Sequence, residues 1–317
     1  MWWSKSSPDA TKADRPPIGF MKIRVIGYIV TLVVLVASVV SIALEGLNLG
    51  LDFTGGVLIE AAKEDVFDVS KVRATVVDAG FKDASVTLTD EGHTAVIRLP
   101  LVATGEDVQG VSASIVSGLG EGVEILKTDA VGPKVSGELF TKGVMASILA
   151  VVMIAIYVWF RFESKFGWAA LLTTFHDALA VVGLFSITRM TFDLTTVAAV
   201  LTVAGYSIND TVVVFDRIRE MLRKYKKLPL SQIIDLSLTS TLSRTLTTSG
   251  TTLIAALAMM ILGGPVLFGF AAAIVFGIVI GTYSSIFVAA PLLLLLPGRL
   301  PGQRATSGEA AESAAGA

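Results

Sequence analysis

A polytopic α-helical membrane protein with one small α+β domain is the fold class the sequence predicts, and three observations carry that prediction. Hydrophobic residues fill 53% of the 317 positions and charged residues only 16%, a balance too apolar for a water-soluble domain of this length. Six stretches are long enough to cross roughly 30 Å of hydrocarbon at about 1.5 Å per helical residue. One polar segment, between the first and second stretch, alternates short strand-like and helix-like patterns.

The six spans read as Val25–Leu44, Gly143–Phe160, Trp168–Thr188, Leu194–Phe215, Thr245–Gly264 and Leu267–Pro291. Basic residues precede the first, as in a signal peptide, but its apolar run exceeds the ~7–15 residues of a signal-peptide core. It is expected to stay as an anchor. Lys5, Lys12, Arg15, Lys22 and Arg24 lead into it, and Arg217, Arg219, Arg223, Lys224, Lys226 and Lys227 fill the connection Asp216–Ser243, with Arg161 and Lys165 in a short turn. The positive-inside rule puts all of these in the cytoplasm, and an even number of spans puts both termini there. The expected division is a cytoplasmic tail 1–24, span 25–44, a periplasmic domain 45–140, a bundle 141–296 and a cytoplasmic tail 297–317. That last tail is Ser- and Ala-rich from Gln303 and expected to be disordered.

Within the polar domain, Val57–Ala61 reads as a strand and Val69–Ala79 as an amphipathic helix. Ser85–Thr89 and Thr94–Leu99 read as strands around an Asp90-Glu91-Gly92 turn, Gly105–Leu119 as a helix and Val123–Asp129 as a strand. The order β-α-β-β-α-β is that of a ferredoxin-like split βαβ unit. It holds no nucleophile cluster, phosphate loop or metal spacing, so binding or lever action fits it better than chemistry. The chain has no Cys and two His, His93 and His176. That excludes disulfides and thiol catalysis and argues against a multi-His metal centre. A non-enzyme without metal or cofactor, and without a nucleic-acid partner, is expected.

Chemistry concentrates in the spans. Asp210 sits in membrane-grade sequence, where a charged carboxylate costs about 2.5–3.5 kcal/mol on insertion scales and calls for a functional or paired setting. Thr202, Tyr206, Asn209 and Val213 share one side of its helix, and Asp210 follows Tyr206 at i+4. Its rival reading is snorkelling to the nearby cytoplasmic interface. Arg244 heads a stripe of Thr247, Thr248 and Thr251 on the fifth span; its plainer role is a lipid-phosphate contact. A guanidinium that never loses its proton would hold Asp210 ionised while hydrocarbon favours the neutral acid, and a group pulled both ways can switch.

His176-Asp177 lies near the midplane of the third span. Neighbours about 100° apart on a helix can both face inward only in part, and a relay or a structural hydrogen bond both fit. Gly277 and Gly281 form a small-residue ridge for helix packing, with a partner's helix as the expected neighbour. Asp52 with Gly50, Gly55 and Gly56 reads as turn chemistry rather than an ion site. Asp177 and Asp210 superficially supply an intramembrane aspartyl protease, but its Gly-x-Gly-Asp and Pro-Ala-Leu contexts are absent. A passive scaffold would not need Asp210 and Arg244 together.

Four motifs in this order, Leu49-Gly50-Leu51-Asp52-Phe53-Thr54-Gly55-Gly56, Val131-Gly132-Pro133, Ser207–Glu220 and Ser243–Thr252, resemble the SecF branch of the SecD/SecF family, in the resistance-nodulation-division superfamily. The resemblance runs from about Gly19 to Leu296. Ser136 departs from it, standing where many relatives carry Gly. What it implies is a bacterial inner-membrane subunit whose six spans pair with six from SecD, using the proton motive force to promote preprotein translocation and release with SecYEG and SecA. YajC and YidC are further candidate partners, and unfolded preprotein and membrane lipids further contacts. It makes Asp210, Arg244, Asp177, His176 and Asn209 proton-pathway candidates, with H+ or Na+ left open as the ion, and Asp52, Gly55, Gly56, Gly132 and Pro133 structural motif residues. A proton-coupled exporter of small molecules or lipids from the same superfamily is the alternative, although such pumps carry twelve spans and two external domains in one chain.

Overall fold

The computed structural model describes residues 17–82, 84–100 and 108–297. Lys5, Lys12 and Arg15, the expected helix start at Gly105 and the tail from Gln303 lie outside them. The chain opens with helix α1 (Arg24–Glu45) and continues through short elements: α2 (Leu51–Thr54), β1 (Gly56–Ala62), α3 (Val69–Asp78), β2 (Ser85–Thr89), β3 (Thr94–Leu99), α4 (Val108–Gly118) and β4 (Glu124–Val131). Long helices follow: α5 (Pro133–Arg161), α6 (Ser164–Thr188), α7 (Leu194–Lys224), α8 (Leu230–Leu262) and α9 (Gly264–Ser284). A π-helical turn at Ser285–Ala289 leads from α9 into α10 (Ala290–Leu295). Among the described residues, six helical runs are long and apolar enough to cross a membrane, the sixth being Val266–Leu295.

Two compact units result: an α+β unit of residues 48–148 and 191–197, and a helical bundle of the remaining described residues. In the first, strands lie in the order β2-β3-β1-β4, every neighbouring pair antiparallel. Alternation along β1 and β3 sends Ile59, Ile97 and Leu99 to one face, where Val72 and Val76 of α3 and Ile115 of α4 bury them. Asp68 starts α3 by accepting the Ser70 N–H at 2.8 Å, an N-cap interaction. Gly56 opens β1 at φ 120°, and a Cβ there would strike the Leu99 carbonyl oxygen, so only glycine fits.

In the bundle, α6 is the most enclosed span, burying Phe166, Ala170, Asp177, Val181 and Phe185. Phe166 meets Phe215 of α7 edge-on at 5.1 Å, a favoured aromatic geometry. Helix α1 rides on α6 with Ser38 over Gly183, where no Cβ could fit. The other faces of α1 and α5 expose apolar side chains such as Val33 and Leu149, as lipid-facing helices do.

Three expectations need correction. Asp216–Ser243 is not a connecting loop: α7 runs to Lys224 and α8 begins at Leu230, leaving only a turn at 225–229. Ile218, Met221 and Leu222 pack in one cluster with Ile233, Ile234 and Leu238, so an amphipathic pattern carries both helices past the apolar stretch that marks a span. Helix α5 likewise starts at Pro133, well before Gly143, with proline in the first turn where its missing N–H costs nothing. The Gly277 and Gly281 ridge packs on Val203 and Ser207 of this chain's own α7. It is an internal contact.

Candidate functional site

Because the middle of α6 is enclosed, His176 and Asp177 are both buried, at 2% and 0% exposure. The expectation that both could face inward only in part fails, since packing surrounds the helix there. Asp177 Oδ1 meets His176 Nδ1 at 2.8 Å. Its Oδ2 accepts the Ser284 hydroxyl at 2.8 Å and the Ser207 hydroxyl. One carboxylate thereby joins α6, α7 and α9. His176 Nε2, also buried, has no hydrogen-bond partner among the described residues. The π-helical turn follows directly after Ser284, and Ser285 donates to the Gly281 carbonyl at 2.9 Å and lies 3.2 Å from the Thr211 hydroxyl. Such turns inside α-helices often occur at functional positions.

Asp210, at 3% exposure, belongs to a separate polar network. Ser249 of α8 lies beside its carboxylate, and Arg244 acts on it electrostatically. No direct ion pair or hydrogen bond joins Asp210 to Arg244 or to Asp177 among the described residues. Ser249 Oγ accepts the Thr282 hydroxyl at 2.8 Å and is 3.5 Å from the Tyr206 hydroxyl. Asp210 Oδ2 has no partner within the described residues. Thr202 and Asn209 of α7, with Arg244, Thr247 and Thr251 of α8, are exposed. The polar sides predicted for these two helices therefore face outward, while Asp210 itself turns inward.

The glycine motif serves the α+β unit. Asp52 Oδ2 accepts the N–H of Leu194, the first residue of α7, at 3.0 Å, and Asp193 accepts that of Thr196 at 2.8 Å. Two carboxylates thus meet donors that a helix start leaves without partners. Gly50 N–H donates to the Phe192 carbonyl at 2.7 Å and Phe192 N–H to that of Asn48 at 2.8 Å. Arg98 of β3 donates to Asn48 Oδ1 at 3.1 Å and to the Thr191 hydroxyl. Burial lowers the Arg98 pKa from the ordinary arginine value, while Asp193 and Glu60 oppose that shift; the guanidinium stays charged. Gly55 holds φ 67°. Gly132 and Pro133 form the start of α5, where the Gly132 carbonyl accepts the Ser136 N–H at 3.0 Å. Ser136 is buried and closes a local bond to the Pro133 carbonyl at 3.1 Å.

Sequence reasoning missed Ser284, Thr282 and Arg98, and took Ser207 and Ser249 only as parts of motifs. Hydroxyls inside apolar spans were the one available signal, and most such hydroxyls bond their own helix, as Thr173 does with Ala169. For Arg98 nothing in its strand announces its partners.

Comparison with known proteins bears on the whole chain. Residues 111–299 match the model of the family described as "Protein export membrane protein SecD/SecF, C-terminal", and residues 40–62 match the "SecD/SecF GG Motif". The protein translocase subunit SecF of Vibrio alginolyticus is 42% identical over 291 residues, covering 90% of this chain and 91% of that one. Its counterpart from Pseudomonas aeruginosa is 41% identical over 279 residues, covering 88% and 91%. The crystal structure of SecDF, a translocon-associated membrane protein from Thermus thermophilus, superposes with a TM-score of 0.81 at 36% identity, over 88% of this chain and 38% of that one. A second SecDF structure, in a super-membrane-facing form, gives 0.65 at 32%, over 96% and 40%. The chain spans about two fifths of the length of each of those two structures.

Proposed function

The chain belongs to the SecD/SecF family of protein-export membrane proteins, and from that membership we propose that it uses the proton motive force to promote preprotein translocation and release in a bacterial inner membrane. The observation that carries the proton coupling is Asp210: a carboxylate at 3% exposure within a span, with one oxygen unpartnered among the described residues and Arg244 acting on it from the neighbouring helix. A proton crossing at this group releases about 2.3 kcal/mol per 100 mV of membrane potential, enough to bias a two-state element by tens of fold. Asp177 has the opposite character. Held by His176, Ser207 and Ser284, it positions three helices and need not exchange its proton.

The chain acts as a transport subunit rather than an enzyme, beside a SecD partner whose six spans cover the polar face of Thr202, Asn209, Arg244, Thr247 and Thr251. The exposure of that face and the length of the SecDF structures that this chain only partly spans support the pairing. SecYEG and SecA complete the machine, with YajC and YidC as accessory partners. The α+β unit is a ferredoxin-like periplasmic module, a reading its strand order supports, and both termini are cytoplasmic.

The test is export into sealed inverted vesicles containing the translocase, with and without this chain and its partner. Stimulation that depends on the chain and disappears with a protonophore is expected; stimulation that survives full collapse of the proton gradient contradicts the reading.

A further inference from the structure

Arg98 reaches the segment that leads into α7 from a central strand. β3 lies between β1 and β2, with Arg98 paired to Leu58 on one side and Ser85 on the other. Its neighbours Ile97 and Leu99 point into the core, so strand alternation turns Arg98 to the opposite face. There the half-buried guanidinium donates through Nη1 to Asn48 Oδ1 at 3.1 Å and through Nη2 to the Thr191 hydroxyl.

Those two acceptors stand on segments that are pressed together. A Cβ on Gly50 would come within 2.9 Å of Asp193 Cβ and 3.1 Å of Thr191 Cγ2. Leu49 and Phe192 form a parallel bridge, and Phe53 stacks on Phe192 with ring centroids 6.3 Å apart. A Cβ on Gly143 of α5 would meet the Leu194 side chain at 3.1 Å. Residues 191–197 belong in this way to the compact α+β unit, while α7 runs on from Leu194 to Lys224 as one helix. Asp210 stands on that same helix, about 24 Å along its axis from Leu194.

We infer that Arg98 is a positioning residue that fastens the sheet of the α+β unit to the start of α7, so that a displacement of the unit is passed along α7 to the Asp210 carboxylate. Coupling between distant groups can be carried by a rigid secondary element and the hydrogen-bond network that holds it. A planar guanidinium that bridges two acceptors fixes the strand to both segments at once, which a single point charge does not. Asp52 and Asp193 meet the N–H groups of α7 from within those segments, whereas Arg98 ties the segments to the sheet. The inference rests on the proton reading of Asp210 and adds the route by which the unit and that carboxylate influence each other.

The experiment uses proteoliposomes holding the translocase, the partner and the full chain as wild type, Arg98→Gln, Arg98→Lys or Asp210→Asn, with proton flux and preprotein export measured together. Arg98→Gln removes the charge and the fork, while Ile97 and Leu99 keep the core contacts of the strand. Export per proton is expected to fall about tenfold in Arg98→Gln, with proton flux within about twofold of wild type. Arg98→Lys keeps the charge without the fork and should recover part of that ratio. Hydrogen exchange at Leu194–Val197 should be faster in Arg98→Gln. Adding Thr191→Val to Arg98→Gln should lower the ratio no further, because both changes remove the same bond. An unchanged ratio, flux and export falling in parallel, or unchanged exchange at the start of α7 overturns the inference and leaves Arg98 a contact that only steadies the unit. Flux that persists in Asp210→Asn overturns the proton reading, a result obtained without any Arg98 variant, so the two fail separately.

Discussion

Asp177 accepts the hydroxyls of Ser207 and Ser284 and meets His176 Nδ1, whereas Asp210 keeps one oxygen without a partner among the described residues. The difference predicts opposite responses to substitution. Asp177→Ala strands His176 and Ser207, two buried polar groups costing about 1–3 kcal/mol each, while Ser284 keeps the Gly281 carbonyl as an acceptor, and it should lower the melting temperature of the purified chain. Asp177→Asn keeps an acceptor and should leave proton-driven export largely intact; its abolition would make Asp177 a relay. Arg244 is exposed and acts on Asp210 without a direct ion pair. Arg244→Lys keeps the charge but loses the fork, so partial export is expected. In a double-mutant cycle on export, Arg244→Met with Asp210→Asn should be no worse than the worse single variant, whereas cleanly additive losses would mean that the two act independently.

Elements were legible in proportion to how local their causes are. Alternating apolar residues in Val57–Ala61 and the Asp90-Glu91-Gly92 turn placed strands of the α+β unit within a residue or two, because strand pleat and turn chemistry are written within a few positions. The extents of α7 and α8 were not legible, since Ile218, Met221, Ile233 and Leu238 become a core only once the two helices meet. Asp177 was visible as a candidate. Ser207 and Ser284, 30 and 107 positions away, were not visible as its partners, because bundle packing alone brings them together. Asp52 was read as turn chemistry between the first span and the first strand, whereas its carboxylate bonds the start of α7, 142 positions away. Asp52→Ala should cost about 0.5–2 kcal/mol, the scale of a lost N-cap, and speed hydrogen exchange at Leu194–Val197, with Asp52→Asn close to wild type. Unchanged exchange in the Ala variant would show that Asp193 suffices alone. Gly56→Ala places a Cβ against the Leu99 carbonyl at positive φ, so the variant should fail to accumulate as folded protein.

At the scale of the whole molecule, six apolar runs among the described residues, an enclosed α6 and two separate polar networks describe a bundle that buries His176, Asp177 and Asp210 and leaves a polar face of α7 and α8 open. That face is suited to a second membrane bundle, and a Cys introduced at Thr247 in this Cys-free chain should cross-link to a SecD partner; cross-linking only to lipid-facing probes would contradict the pairing. The central claim is that proton passage at Asp210 drives export, and Asp210→Asn, which keeps the volume and removes the titratable proton, tests it most directly. Proteoliposomes holding the translocase, the partner and equal amounts of wild-type or Asp210→Asn chain are energised with a proton gradient, and preprotein export is measured alongside proton flux. The account predicts that Asp210→Asn assembles normally and loses both the gradient-dependent export and the flux. Wild-type export by the variant would contradict it.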